Sequence, residues 1–167
     1  MSAAIEAVVS SEFEAQADEL IAHYPASKRS ASLPLLHLWQ ETHGWVSEPG
    51  IAWIAAKLDL EPVRILELVT FYPMFRQHPA GKIQIKVCRT LSCALAGSHG
   101  LCATLREKYA PGTPDCHGLT VSADGKYSVE FVECLAGCGT GPVMMVGDDF
   151  HEEVTPEKAA AILQEKA

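Results

Sequence analysis

The stretch Lys82-Ile-Gln-Ile-Lys-Val-Cys88-Arg-Thr-Leu-Ser-Cys93 decides how this chain is read. Residues 82–87 alternate polar and apolar, the period of a half-buried strand. The strand runs directly into Cys88, and Cys93 follows five residues later. A second stretch has the same plan. Gly118 to Ser122 and Lys126 to Glu133 read as a hairpin around Ala123-Asp124-Gly125, because Asp-Gly is a strong turn signal. Cys134 follows the hairpin at once, and Cys138 comes four residues later. Between these stretches, Ala94 to Tyr109 reads as a helix with Leu95, Leu101, Cys102 and Leu105 as its apolar positions. A helix between two strands predicts a right-handed βαβ unit. If the strands at 82–87 and 127–133 are its parallel pair, their C-terminal ends share one edge of the sheet. Open α/β sheets place ligands at that edge.

Written out, the pattern is Cys-x4-Cys, 40 intervening residues, then Cys-x3-Cys. Either pair alone is an ordinary accident of composition. Both pairs, each after a predicted strand, point to a tetrathiolate metal site at Cys88, Cys93, Cys134 and Cys138. The loops suit an anion. Leu91 to Gly97 opens a helix whose N-terminal amides can face sulfur, and Leu135 to Gly141 holds three glycines that let backbone N–H groups approach closely. Disulfides fit poorly in a chain without an export signal, and neither pair has the Cys-x-x-Cys spacing of a thiol–disulfide oxidoreductase. Zinc accepts four cysteines at similar spacings. A 2Fe–2S cluster uses four thiolates too, although the plant-type Cys-x4-Cys-x2-Cys run is missing here. The residues leave both metals open, and the glycine-rich loop tilts the balance toward iron.

Composition sets the outer limits. The chain has 167 residues, 48 % of them apolar and 20 % charged, which is ordinary for a protein that buries a core. Its net charge of −8 argues against nucleic acid as a partner. No apolar run approaches the about 18 residues of a membrane span, so no direct membrane insertion is expected. Met1-Ser-Ala-Ala-Ile-Glu6 shows neither a secretory signal nor an Arg-rich transit peptide, so a cytoplasmic location is expected.

The first half reads as helices. Ser11 and Glu14 match a capping box, followed at helical spacing by Phe13, Ala17, Leu20, Ile21 and Tyr24. A second helix begins near Ser30 or Ser32 and stops at Gly44, with Leu35, Leu38, Trp39 and Thr42 on one face. A third follows Ser47 with Ile51, Ile54 and Leu58 as its stripe, and a fourth starts around Pro62. After the hairpin come a short strand over residues 142–146, a turn at 147–149, and a last helix capped by Thr155. The expected class is α+β: a helical bundle over residues 1–78, then an α/β domain over 79–167.

These residues resemble a known family, the small 2Fe–2S subunit of the NADH-dehydrogenase module of respiratory complex I, a thioredoxin-like ferredoxin. The resemblance rests on Cys88-Arg-Thr-Leu-Ser-Cys93 with Gly97, and on Val132-Glu-Cys-Leu-Ala-Gly-Cys138-Gly-Thr-Gly-Pro142. Tyr24-Pro25, residues 35–40, Gly44-Trp45-Val46 and Val69-Thr-Phe-Tyr-Pro-Met-Phe75 add to it, so that it spans about residues 11–166. It implies a helical bundle followed by a thioredoxin-like domain. It implies that Cys88 and Cys93 bind one iron of a single 2Fe–2S cluster, and Cys134 and Cys138 the other. It also implies a larger partner subunit that alone binds FMN and NADH, so the chain would be part of an oxidoreductase and not a complete enzyme. No Gly-x-Gly-x-x-Gly follows a strand here. Such a subunit would reach the inner membrane only peripherally, through its complex. One departure stands out: Leu-Ala-Gly lies between the second pair, where many relatives have Leu-Gly and then a small residue.

Three alternatives remain at this point, one of them a thiol–disulfide oxidoreductase whose cysteine pair would cycle without metal. An NAD-linked hydrogenase or formate dehydrogenase uses a similar subunit, and a zinc-stabilised four-cysteine interaction module differs in class altogether. Of the other cysteines, Cys102 reads as a buried core thiol, while Cys116 beside His117 is a weak candidate for a second metal site. Trp39, Trp45, Trp53, Phe71, Tyr72 and Phe75 could make a docking patch, but core packing is the expected role for most of them.

Overall fold

The computed structural model describes residues 9–115 and 118–166; Cys116 and His117 lie outside the described residues. The fold is α+β, with helices preceding a mixed sheet. The chain divides into two compact units between Pro79 and Ala80.

The first unit holds α1 (Ser11–Ala22), α2 (Ser32–His43), α3 (Glu48–Leu58) and α4 (Pro62–Phe71). The cap of α1 is Ser10 and not Ser11. Ser10 takes the extended conformation and accepts from the Phe13 N–H at 3.1 Å, while Ser11 is already helical. Helix α2 is rotated from its expected face. Ser32, Leu35, Leu36 and Trp39 are buried, a stripe at i, i+3, i+4 and i+7, while Thr42 is exposed. The Trp39 ring meets Phe13 edge-on at 5.6 Å and Trp53 at 5.7 Å. Each such pair adds about 1 kcal/mol beyond its buried area. Trp39 and Phe75 are thus core residues, whereas Phe71 is 77 % exposed.

The second unit is a sheet ordered β2-β3-β1-β4-β5. Its strands are β1 (Ile83–Cys88), β2 (Thr120–Val121), β3 (Tyr127–Val132), β4 (Met144–Val146) and β5 (Asp149–His151). Strands β1 and β3 run parallel, in a register from Ile83 opposite Tyr127 to Cys88 opposite Val132; the remaining pairs are antiparallel. Ile85, Val87, Val129, Met144 and Val146 form the core with Leu101, Cys102 and Leu105 from the crossover and Leu163 from α7 (Pro156–Glu165).

The crossover departs from the single helix expected over residues 94–109. It is two helices, α5 (Leu91–Leu95) and α6 (Ser98–Tyr109), broken at Gly97. Gly97 has φ +99°, which a side-chain-bearing residue adopts only with strain. The first helix starts earlier than expected and contains Cys93.

A Cβ at Gly81 would lie 2.2 Å from the Tyr127 carbonyl carbon and 2.4 Å from the Ser128 nitrogen, both backbone atoms. Gly81→Ala is therefore expected to lower stability to urea by about 1–3 kcal/mol. Gly100 lies within α6 with open space at its Cβ position. Gly100→Ala is expected to raise stability by about 0.5–1 kcal/mol. Burial pushes the Cys102 thiol up to about 11, with smaller opposing contributions from Arg106, which lowers it, and Glu130, which raises it. The native state thus keeps this thiol protonated where the unfolded chain loses its proton. The contribution of this thiol to stability should be level below about pH 9 and fall as pH rises toward 11, and Cys102→Ala should flatten that fall. Urea midpoints measured across that range check it; an equal slope in both proteins would refute the assignment.

Candidate metal centre

The parallel register carries both cysteine stretches to one sheet edge. Cys88 is the last residue of β1, and Cys134 comes two residues after β3 ends. Beyond the strands the ladder continues: the Arg89 N–H donates to Val132 O at 3.0 Å, and the Cys88 N–H to Val143 O at 3.1 Å. An exposed ion pair joins Arg89 to Glu133, linking the residue after Cys88 to the residue before Cys134. Such a pair contributes at most about 1 kcal/mol.

Cys88 and Cys93 are each 1 % exposed and pack with Val143 and Leu135. Burial pushes the Cys88 thiol up. Hydrogen bonds from the Thr90 hydroxyl, the Leu135 and Thr90 amides and the Cys93 thiol outweigh it, so Cys88 sits below its ordinary value. Burial pushes Cys93 up, and the nearby Cys88 and Cys138 reinforce this against a hydrogen bond from the Val143 amide. Leu135 belongs to the second loop, so its packing against Cys88, Cys93 and Val143 joins the two cysteine stretches.

Cys134 and Cys138 are exposed. Cys138 begins a 3-10 turn that ends at Thr140. The segment after β5 holds this turn: the Glu153 N–H donates to Thr140 O at 2.7 Å, and the Val154 N–H to Pro142 O at 2.9 Å. Gly141 precedes Pro142 through a cis peptide bond, and a Cβ at Gly141 would lie 3.5 Å from Cys93 Sγ. Ala136 has φ +62°. This costs roughly 1 kcal/mol for a residue other than glycine, and it turns the Ala136 N–H onto Cys134 Sγ at 3.3 Å. The Leu-Ala-Gly order noted in the sequence therefore places alanine where glycine would be unstrained.

The structure buries Cys88 and Cys93 in one cluster with Val143, and brings the Gly141 backbone of the second loop against Cys93. Cys134 contacts the Ala136 amide in the same loop. Among the described residues, no three His, Cys, Asp or Glu side chains stand within reach of one shared metal ion. Sulfur donors with an amide and a hydroxyl directed at them suit a soft, thiolate-bound group such as an iron–sulfur cluster. Sequence reasoning missed the Ala136 amide at Cys134 and the Thr90 hydroxyl at Cys88. Only Thr90 left a signal, as a cap-type residue just after Cys88.

Similarity to known proteins bears on this arrangement in three ways. A solved structure of an NAD+-reducing [NiFe]-hydrogenase in the air-oxidized state matches 78 % of this chain with a TM-score of 0.62. The match covers 22 % of that chain at 20 % sequence identity, so it speaks to the fold alone. An NADH-quinone oxidoreductase subunit of Rickettsia bellii (strain RML369-C) is 42 % identical over 149 residues, 88 % of this chain and 86 % of that protein. The corresponding NADH-quinone oxidoreductase subunit of Rhizobium meliloti (strain 1021) is 36 % identical, with 86 % of this chain and 82 % of that one covered. The sequence model of the thioredoxin-like [2Fe-2S] ferredoxins matches residues 17–167, which takes in every cysteine of the site. With fold and sequence in agreement, the chain belongs to the thioredoxin-like [2Fe-2S] ferredoxin family.

Proposed function

We propose that this chain is the small electron-transfer subunit of an NADH-quinone oxidoreductase, holding one 2Fe–2S cluster on Cys88, Cys93, Cys134 and Cys138. Cys88 and Cys93 would hold one iron, and Cys134 and Cys138 the other. The observation that carries the reading is the parallel register of β1 and β3, which ends both strands together with Cys88 opposite Val132 and so brings both cysteine loops to one sheet edge. It sets the second cysteine loop against the first at the sheet edge. Relatives named as NADH-quinone oxidoreductase subunits match over most of both chains, which favours that complex over a hydrogenase or formate dehydrogenase. Membership of a [2Fe-2S] family weighs against the zinc module.

A bound 2Fe–2S cluster supplies reversible one-electron storage. The chain's own residues do the rest. The Ala136 amide at Cys134 and the Thr90 hydroxyl at Cys88 offset negative charge on the sulfurs. The buried Cys88 and Cys93 exclude water from one side, while the exposed Cys134 and Cys138 leave the other side open to a partner. That partner would be the larger subunit carrying FMN and NADH, with the cluster near its flavin. Among the described residues no helix is long and apolar enough to cross a membrane. The proposed location is the cytoplasmic face of the inner membrane, reached peripherally through the complex.

Purified protein should contain two irons and two acid-labile sulfides per chain and give an EPR signal when reduced. Ala at position 88, 93, 134 or 138 should abolish or badly distort that signal, while Cys102→Ala and Cys116→Ala keep it. Colourless protein with one zinc and no sulfide would refute the reading. NADH added to the isolated chain should leave the cluster oxidised, and reduction should appear on adding the flavin-bearing subunit. Reduction by NADH without that subunit would contradict the assigned division of labour.

A further inference from the structure

We propose that Thr90 is a positioning residue for the bound cluster, whose hydroxyl donates to the Cys88 thiolate and thereby raises the cluster's midpoint potential. The inference rests on the cluster reading above.

Thr90 occupies the cap position of α5 with φ −74° and ψ 164°. This is the backbone in which Ser and Thr normally accept a hydrogen bond from the first turn. Ser10, Ser47 and Thr155 share that conformation, and each accepts from the amide three residues on. Thr90 makes no such bond. Its Oγ1 lies instead 3.2 Å from Cys88 Sγ. A metal-bound cysteine is a thiolate with no proton to give, so the hydroxyl must be the donor. Thr90 is thus the one cap residue of these four whose side chain turns away from its helix and toward a cysteine.

The direction of the effect follows from charge. Reduction adds a negative charge that spreads onto the ligand sulfurs, and a donor to sulfur then stabilises the reduced form more than the oxidised one. Cys88 is 1 % exposed, so water is poorly placed to replace a lost hydroxyl. Valine matches threonine in shape and lacks the donor. Serine keeps the donor and loses only a methyl group.

The test is an EPR-monitored redox titration of the cluster-loaded full chain carrying Thr90→Val, Thr90→Ala or Thr90→Ser, beside the parent. Thr90→Val and Thr90→Ala should lower the equilibrium constant for reduction about tenfold, which is about 59 mV for a one-electron couple. Thr90→Ser should stay within about twofold of the parent. A parent potential in the valine or alanine protein at full iron content overturns the proposal. So does a serine protein that falls as far as valine. If valine prevents loading, the alanine protein decides. Iron and sulfide analysis of the parent separately decides the cluster reading: absence of both there would sink that reading, whereas an unmoved potential sinks only the role of Thr90.

Discussion

The site depends on one pairing, the parallel ladder of β1 and β3. Because Cys88 lies opposite Val132, the two strands end together, and each passes directly into a cysteine-bearing loop. An antiparallel pairing would put those loops on opposite edges of the sheet. A slip of one residue would turn Cys88 to the other face. The close approach at Gly81, where even a methyl group would strike the Tyr127 backbone, holds the start of this ladder. The two-helix crossover follows from it, since a right-handed return must bring the chain back beside its starting strand.

A second constraint is the charge of thiolates gathered in one place. The chain already carries a net charge of −8, and thiolates add to it at this edge. Donors answer it locally: the Thr90 hydroxyl serves Cys88, and the Ala136 amide serves Cys134. The left-handed Ala136 shows the cost of aiming such an amide, since its backbone strain accompanies its bond to sulfur. Burial is uneven, with Cys88 and Cys93 inside and Cys134 and Cys138 at the surface. An electron carrier needs both conditions, one to shield the site and one to reach a partner.

Much of this was legible in the sequence. The period-two run into Cys88, the Asp-Gly turn and the spacing of the second pair pointed to the sheet edge and its four cysteines. Helix caps were less legible, because Ser10 and Ser11 are equivalent as letters and only backbone conformation separates them. The break at Gly97 was hidden because apolar positions recur on both sides of it. The clamp of Glu153 and Val154 on Thr140 and Pro142 joins residues distant in sequence, so no local pattern could announce it. The same holds for the amides: a backbone N–H has no letter of its own, and its aim is set only by the fold.

The central claim is that these four cysteines hold a binuclear iron–sulfur cluster at the end of the parallel pair. X-ray absorption at the iron edge of the purified protein tests it most directly. A binuclear cluster predicts an iron–iron vector and a first shell made of sulfur alone, both lost in Cys88→Ala. A single metal with no metal neighbour, or a shell containing nitrogen or oxygen, would contradict it.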